Sequence, residues 1–283
     1  MILKGDSNKL FIGPFIGEFG HELFSWQAYM REYAKTFDHV VVASRKEYKF
    51  LYEDFCDEFI AVDPKTFNAA SYSVLENEAE AKKLCTKLHS QYNINKKYTV
   101  ISPNIDSEAV TVKKISKMTP TYVSYGNEDE SLAYDILIHP RNFGEFTNHK
   151  QADKKKSRDW SLDKWFKLVS RFNKRGFKVG CIGLSSAAFY VEGTDDLRDL
   201  PLKELADVLR SSKCILGPSS GPLHFATLCE CPQIVWSHPR NRKRYLTEWN
   251  PFDVKVVFHD KDSWNPSVIK VGEMHREFTW GLK

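Results

Sequence analysis

In residues 213–236, KCILGPSSGPLHFATLCECPQIVW, a short apolar strand runs into a turn rich in Gly, Pro and Ser that opens a helix. Gly217 and Gly221 bracket the turn, Ser219 and Ser220 offer hydroxyls, and His224 falls in the first helical turn. A helix start carries unpaired backbone N–H groups and about half a positive elementary charge, so it holds an anion such as a diphosphate without a basic side chain. The second strand, Gln233–Trp236, completes a β-α-β unit. The same letters satisfy G-x-S-x-G, the nucleophile elbow of serine hydrolases, with Ser219 as nucleophile. About sixty residues follow Gly221, little room for the further strands, Asp and His that a hydrolase triad uses. A purely structural turn is the third reading.

Other residues suited to chemistry lie at the ends of apolar runs. Glu18 and His21 stand where the loop Gly17-Glu18-Phe19-Gly20 enters a helix, and each has a side chain able to take a proton. Arg141 follows the buried strand YDILIHP, and Arg158 directly precedes Asp159-Trp160. Open α/β sheets place ligands beyond such strand ends, and the guanidinium fork matches phosphate oxygens. Arg240, Arg242 and Arg244 are interleaved with Lys243 and Tyr245, with Trp249 and Phe252 close behind. That pattern suits a nucleic-acid groove, a diphosphate contact or a solvated helix face. Asp260-Lys261-Asp262 has the Asp-x-Asp spacing of a metal-dependent transferase, yet so late in the chain it reads as a surface turn, and no metal is expected.

Two successive strand-helix alternations would position these residues. In the first, strands at 10–15, 39–44, Glu58–Val62, 98–102 and 121–125 accompany helices at 21–35, 46–54 and 76–92. The polar stretch GNEDES at 126–131 reads as a linker, which divides the chain into domains 1–130 and 131–283, with the last helix left free to cross back to the first domain. In the second, the strand from Tyr134 leads through a long polar loop, 141–158, that includes Lys154, Lys155 and Lys156. Ser161 then caps a helix bearing Leu162, Trp165, Leu168, Val169 and Phe172 on one face. A strand at 177–182 and a helix at 202–210 lead back to 213–236.

With 283 residues the chain can bury a substantial core, and its formal net charge of +4 suits an anionic partner without demanding one. The six cysteines, at 56, 85, 181, 214, 229 and 231, lack zinc-pair spacing and read as reduced core residues. No apolar run reaches membrane-spanning length and no signal peptide is visible, so a cytoplasmic protein is expected.

Three ordered segments resemble the heptosyltransferases and related glycosyltransferases of GT-B architecture: ILIHPRN; SRDWSLDKWFKLVSRFNKRGFKVGCIG; and LPLKELADVLRSSKCILGPSSGPLHFATLCECPQIVW. The resemblance implies an α/β fold of two Rossmann-like domains facing across a cleft, the first binding the acceptor and the second the nucleotide sugar. It implies transfer of a sugar from a UDP- or ADP-linked donor to an acceptor hydroxyl, inverting and without a metal cofactor. Arg141, Arg158, Ser219, Ser220, Gly221 and His224 would hold the donor. Glu18 or His21 would be the base, and Gly17, Gly20, Arg240, Arg242 and Arg244 would serve the acceptor. Ser219 stands where that family carries an acidic residue. In overall architecture and basicity the chain also resembles bacteriophage enzymes that glycosylate hydroxymethylated DNA bases, so DNA and a surface glycan are both acceptor classes here. A sugar-nucleotide epimerase and a non-catalytic nucleotide-binding module are the alternatives alongside the hydrolase.

Overall fold

The computed structural model describes residues 2–3, 8–15, 17–62, 78–92, 97–102, 117–142, 158–261 and 264–280. Lys154, Lys155, Lys156, Asp262 and all but the ends of the 141–158 loop lie outside them. The chain divides into two compact units, Met1–Val123 and Ser124–Lys283.

In the first unit, β1 (Ile2–Leu3), β2 (Lys9–Ile12), β3 (His39–Arg45), β4 (Glu58–Val62) and β5 (Thr99–Ile101) form a five-stranded sheet in the order β1-β5-β2-β3-β4. Only β1 runs antiparallel, against β5. The helical run α1 covers residues 19–34: it starts as Phe19–His21, widens to π-helical spacing over Glu22–Gln27 and continues as Ala28–Ala34. Glu78–Tyr92 forms α2. Phe11, Val41, Ala43, Val62, Leu88 and Val100 make the core, the strand residues alternating toward it as a pleated sheet requires. The expected helix at 46–54 is a tighter 3₁₀ turn, Lys46–Leu51.

No strand forms at 121–125. The Thr121 N–H bonds to the Ala28 carbonyl of α1, and the Thr121 carbonyl receives the buried Arg31 guanidinium at 3.1 Å, so these groups are spent on a helix rather than a ladder. The unit boundary falls at Val123, ahead of the expected 130, because the polar stretch is fastened to the second unit. Gly126 has φ +85° and lies so close to the Ala206 carbonyl that a Cβ would collide with it. The Asn127 N–H bonds to Asp207 at 2.7 Å and the Asp129 N–H to Ser211 at 2.9 Å.

The second unit is a fully parallel six-stranded sheet, built from β6 (Ile136–Ile138), β7 (Val179–Gly183), β8 (Asp195–Arg198), β9 (Ile215–Pro218), β10 (Gln233–Trp236) and β11 (Val256–His259) in the order β11-β10-β9-β6-β7-β8. Its helices are α3 (Leu162–Asn173), α4 (Leu202–Ser211), α5 (Gly221–Leu228) and α6 (Val268–Trp280). Ser161 caps α3, its hydroxyl accepting from the Lys164 N–H. Trp165, Leu168, Val169 and Phe172 go into the core, whereas Leu162 at the first position stays exposed. The last helix, free to cross back in the sequence reading, packs on α3 and β10 and puts Val271, Met274 and Phe278 into this unit's core.

At the centre of that core, Trp160, Trp165 and Trp236 touch one another with ring centroids 4.8 to 5.6 Å apart. Aromatic pairs of this kind contribute about 0.5–1.5 kcal/mol each beyond their buried area. They therefore anchor the chain firmly where Arg158 and Asp159 enter, two positions from the end of the 141–158 loop.

Candidate functional site

In the second unit the chain leaves β6 toward β7 and β8 on one side of the sheet, then returns to build β9, β10 and β11 on the other. The strand order therefore reverses between β6 and β9, and open parallel sheets bind ligands just beyond the strand ends at such a point. His139 follows β6 and Ser219 and Ser220 follow β9, so both strand ends deliver polar side chains there. Gly217 permits the close approach: a Cβ would stand 3.0 Å from the Leu223 side chain and 3.3 Å from the His139 carbonyl.

His139 Nδ1 lies 2.8 Å from Ser220 Oγ. Burial first, and the neighbouring Arg141 second, hold the His139 pKa down to about 3, so the imidazole is neutral at pH 7. Ser220 is the N-cap of α5, but its side chain makes no capping bond to the helix. The open donors of α5 are then the Gly221 and Leu223 N–H groups, since Pro222 has none and the His224 N–H already reaches the Ser220 carbonyl.

Two guanidinium groups join this helix start. Arg158 donates through Nη2 to the Ser219 carbonyl at 2.8 Å, and the Trp264 ring lies 4.3 Å from its guanidinium carbon. Trp264 holds the left-handed backbone, φ +51°, a strained conformation for a bulky residue. Arg141 is buried and pairs with Asp159. Its pKa is pushed down to about 10 by burial and by the like charge of Arg158, with Asp159 opposing both. Arg141 and Arg158 thus bring guanidinium groups to the helix start, an arrangement that suits an anion.

Ser219 is buried, and the Tyr245 hydroxyl donates to its Oγ at 3.0 Å. Tyr245 also stacks on His224 with centroids 4.5 Å apart, and Trp249 meets the same imidazole edge-on at 4.8 Å. In the basic run after β10, Arg240 and Arg242 are exposed, Arg242 pairing with Asp260 at 3.0 Å, and Arg244 lies 4.2 Å from the centre of the Trp249 ring. Among the described residues no group of three or more His, Cys, Asp or Glu side chains is arranged to hold a metal ion.

The first unit repeats the topological logic. Strand order reverses between β2 and β5, and the chain leaving β2 forms the loop with Gly17, Glu18 and Gly20. Glu18 and His21 are exposed at the start of α1, with His21 Nδ1 3.4 Å from Ser25 Oγ. Gly17 and Gly20 are buried, and the Gly17 carbonyl accepts from Arg45 at 3.2 Å. Behind them Glu22 is fully buried, its Oε1 receiving the hydroxyls of Ser44 and Tyr52, each at 2.6 Å. Its Oε2 has no hydrogen-bond partner among the described residues. Burial raises the Glu22 pKa to about 7, against the opposing pull of Arg45 and the two hydroxyls.

The predicted residues Arg141, Arg158, Ser219, Ser220, Gly221 and His224 therefore gather around one helix start. Sequence reasoning missed His139, Asp159, Tyr245 and Glu22. His139 and Asp159 lie within quoted segments, and the strand-end rule could have found the first; nothing in the local pattern signals Tyr245 or Glu22.

No protein-family model and no curated protein matches the chain. Solved structures do. A glycosyl transferase family 9 protein from Veillonella parvula aligns over 97% of this chain and 98% of its own, with TM-score 0.57 and 12% identity. The iron-containing dodecameric glycosyltransferase TibC from enterotoxigenic E. coli aligns over 99% of this chain and 78% of its own, with TM-score 0.58 and 14% identity. E. coli heptosyltransferase WaaC, solved with ADP, aligns over 95% and 99% with TM-score 0.55 and 12% identity. Identity this low speaks to fold alone, and the fold is that of the GT-B glycosyltransferases, heptosyltransferases among them.

Proposed function

We propose that the protein is a glycosyltransferase that moves a sugar from a nucleoside-diphosphate sugar to an acceptor hydroxyl. The observation that carries this reading is the convergence of Arg158, Arg141 and the start of α5 beyond the reversing strands of the second unit. A diphosphate leaving group gains negative charge as the glycosidic bond breaks, and donors already fixed in place stabilise that charge without reorganising. The guanidinium groups and the helix start would supply this stabilisation, so the reading needs no metal. The donor is ADP- or UDP-linked, and the WaaC structure with ADP supports the former.

On the first unit, Glu18 or His21 takes the proton of the acceptor hydroxyl, and Gly17 and Gly20 let the acceptor approach the backbone. Direct attack opposite the leaving group makes the reaction inverting. The preferred acceptor is a glycan. Arg242 pairs with Asp260 and Arg244 lies against Trp249, so two charges of the basic run already have partners, while Arg240 and Arg242 stay exposed.

The test is a thermal-shift series with ADP- and UDP-sugars, with and without magnesium, followed by transfer assays on glycan and hydroxymethylated DNA acceptors. A rise in melting temperature with one nucleotide class and glycan-dependent release of nucleoside diphosphate is the expected result. No shift with any nucleotide sinks the reading, donor turnover without acceptor replaces it with an epimerase, and transfer to DNA moves the acceptor assignment.

A further inference from the structure

Tyr245 reaches back from the π-helical turn Arg244–Glu248 to the start of α5, a place no local sequence pattern assigns to it. Its phenol is buried, lies against Phe258 at 5.6 Å, and meets two residues of the anion cradle with one hydroxyl. Ser219 Oγ is at 3.0 Å and His224 Nε2 at 3.4 Å. A phenol has one proton, and this one is donated to Ser219 Oγ. One of the two lone pairs of the serine oxygen is thereby used, and its own proton is left to be donated onward. Tyr245 and Trp249 meanwhile hold the His224 imidazole from its face and its edge.

We infer that Tyr245 is a positioning residue that orients Ser219 as a hydrogen-bond donor and fixes His224, so that this end of the cradle presents a proton to a phosphoryl oxygen. The inference rests on the donor-site reading proposed above. A carboxylate at position 219 only accepts; a serine accepting from a tyrosine still has a proton to donate. The ligand group it suits is an acceptor, and the diphosphate of a nucleotide is the acceptor that two neighbouring guanidinium groups also suit.

Isothermal titration of the full chain with ADP and UDP, and with adenosine and uridine as phosphate-free controls, tests this role. Tyr245→Phe keeps the ring stack and removes only the hydroxyl. It is expected to weaken nucleoside-diphosphate binding about tenfold while leaving nucleoside binding unchanged. Ser219→Ala should match it, the double variant should be no weaker than either single one, and Ser219→Thr should retain affinity. Equal binding by Tyr245→Phe and wild type, additive losses in the double variant, or a parallel loss of nucleoside binding overturns the role. If Tyr245→Phe does not fold, the Ser219→Ala and Ser219→Thr pair decides: equal affinities overturn the role, and loss with Ala alone supports it. Should the wild type bind neither ADP nor UDP, the donor-site reading falls together with this role; nucleotide binding unmoved by the variants removes this role alone.

Discussion

His139 Nδ1 and Ser220 Oγ stand 2.8 Å apart across the point where the strand order of the six-stranded sheet reverses, joining the end of β6 to the start of α5. A neutral imidazole can accept the serine proton, but a group with a pKa of about 3 is a weak base at pH 7. The pair therefore orients Ser220 and does not activate it. Neither Ser219 nor Ser220 should react with a fluorophosphonate probe, and the His139 ring resonances should not titrate between pH 5 and 8. The folded pKa is depressed below the ordinary value of 6.5, so the unfolded chain binds the proton more readily, and this residue's share of stability is lost as pH falls from 6.5 toward 3. Labelling of either serine would revive the hydrolase reading.

Glu22 gives a pH dependence of opposite sign. Its folded pKa is raised from 4.5 to about 7, so the native state holds the proton more tightly than the unfolded chain. Its favourable share is complete below pH 4.5 and is lost as pH rises through 7, a difference on the order of 3 kcal/mol. Glu22→Gln cannot ionise and keeps a carbonyl for Ser44 and Tyr52. Denaturant midpoints of wild type should fall relative to Glu22→Gln between pH 5 and 8, and parallel curves would refute the buried, protonated carboxyl.

Arg158 donates to the Ser219 carbonyl through Nη2 and lies against Trp264, and its planar fork suits an oxyanion better than a point charge does. Lysine carries the charge without the fork. Arg158→Lys should raise the Kd for ADP or UDP at least tenfold, with little change in melting temperature, because charge-assisted hydrogen bonds contribute about 1.5–3 kcal/mol each. Unchanged affinity in a titration would remove Arg158 from the donor site.

Trp160 links the core to that arginine. Trp160→Ala should destabilise the protein by about 3–5 kcal/mol in chemical denaturation, as other large-to-small core changes do. Trp160→Phe should cost less and leave nucleotide binding measurable. A loss below 1 kcal/mol for the alanine variant would contradict the packed tryptophan trio.

The two alternating α/β units were legible because buried parallel strands such as ILI at 136–138 and QIVW at 233–236 are continuous apolar runs bounded by turn residues. The edge strand β8, Asp195-Asp196-Leu197-Arg198, was not, since an exposed edge need not be apolar. At 121–125 the alternation of Thr, Tyr and Val suggested a strand, but tertiary bonds to α1 claimed its backbone. The residues proposed to hold the donor were readable where they are contiguous, around Ser219, Ser220, Gly221 and His224. His139 reaches them from the end of β6 and Tyr245 from the turn Arg244–Glu248, and Glu22 hides beside the exposed Glu18 and His21 because burial leaves no mark on a single letter.

Pro222, at the second position of α5, removes one of the amide donors that a helix start ordinarily turns toward an anion. With the Ser220 hydroxyl turned toward His139, most of the attraction at this cradle falls to the full charges of Arg141 and Arg158 rather than to backbone dipoles. Mobile ions screen exposed charges over about 8–10 Å at 0.1–0.15 M ionic strength, and buried ones much less. An anion held at this cradle would therefore keep much of its affinity as salt rises, because Arg141 is buried and Arg158 lies against Trp264.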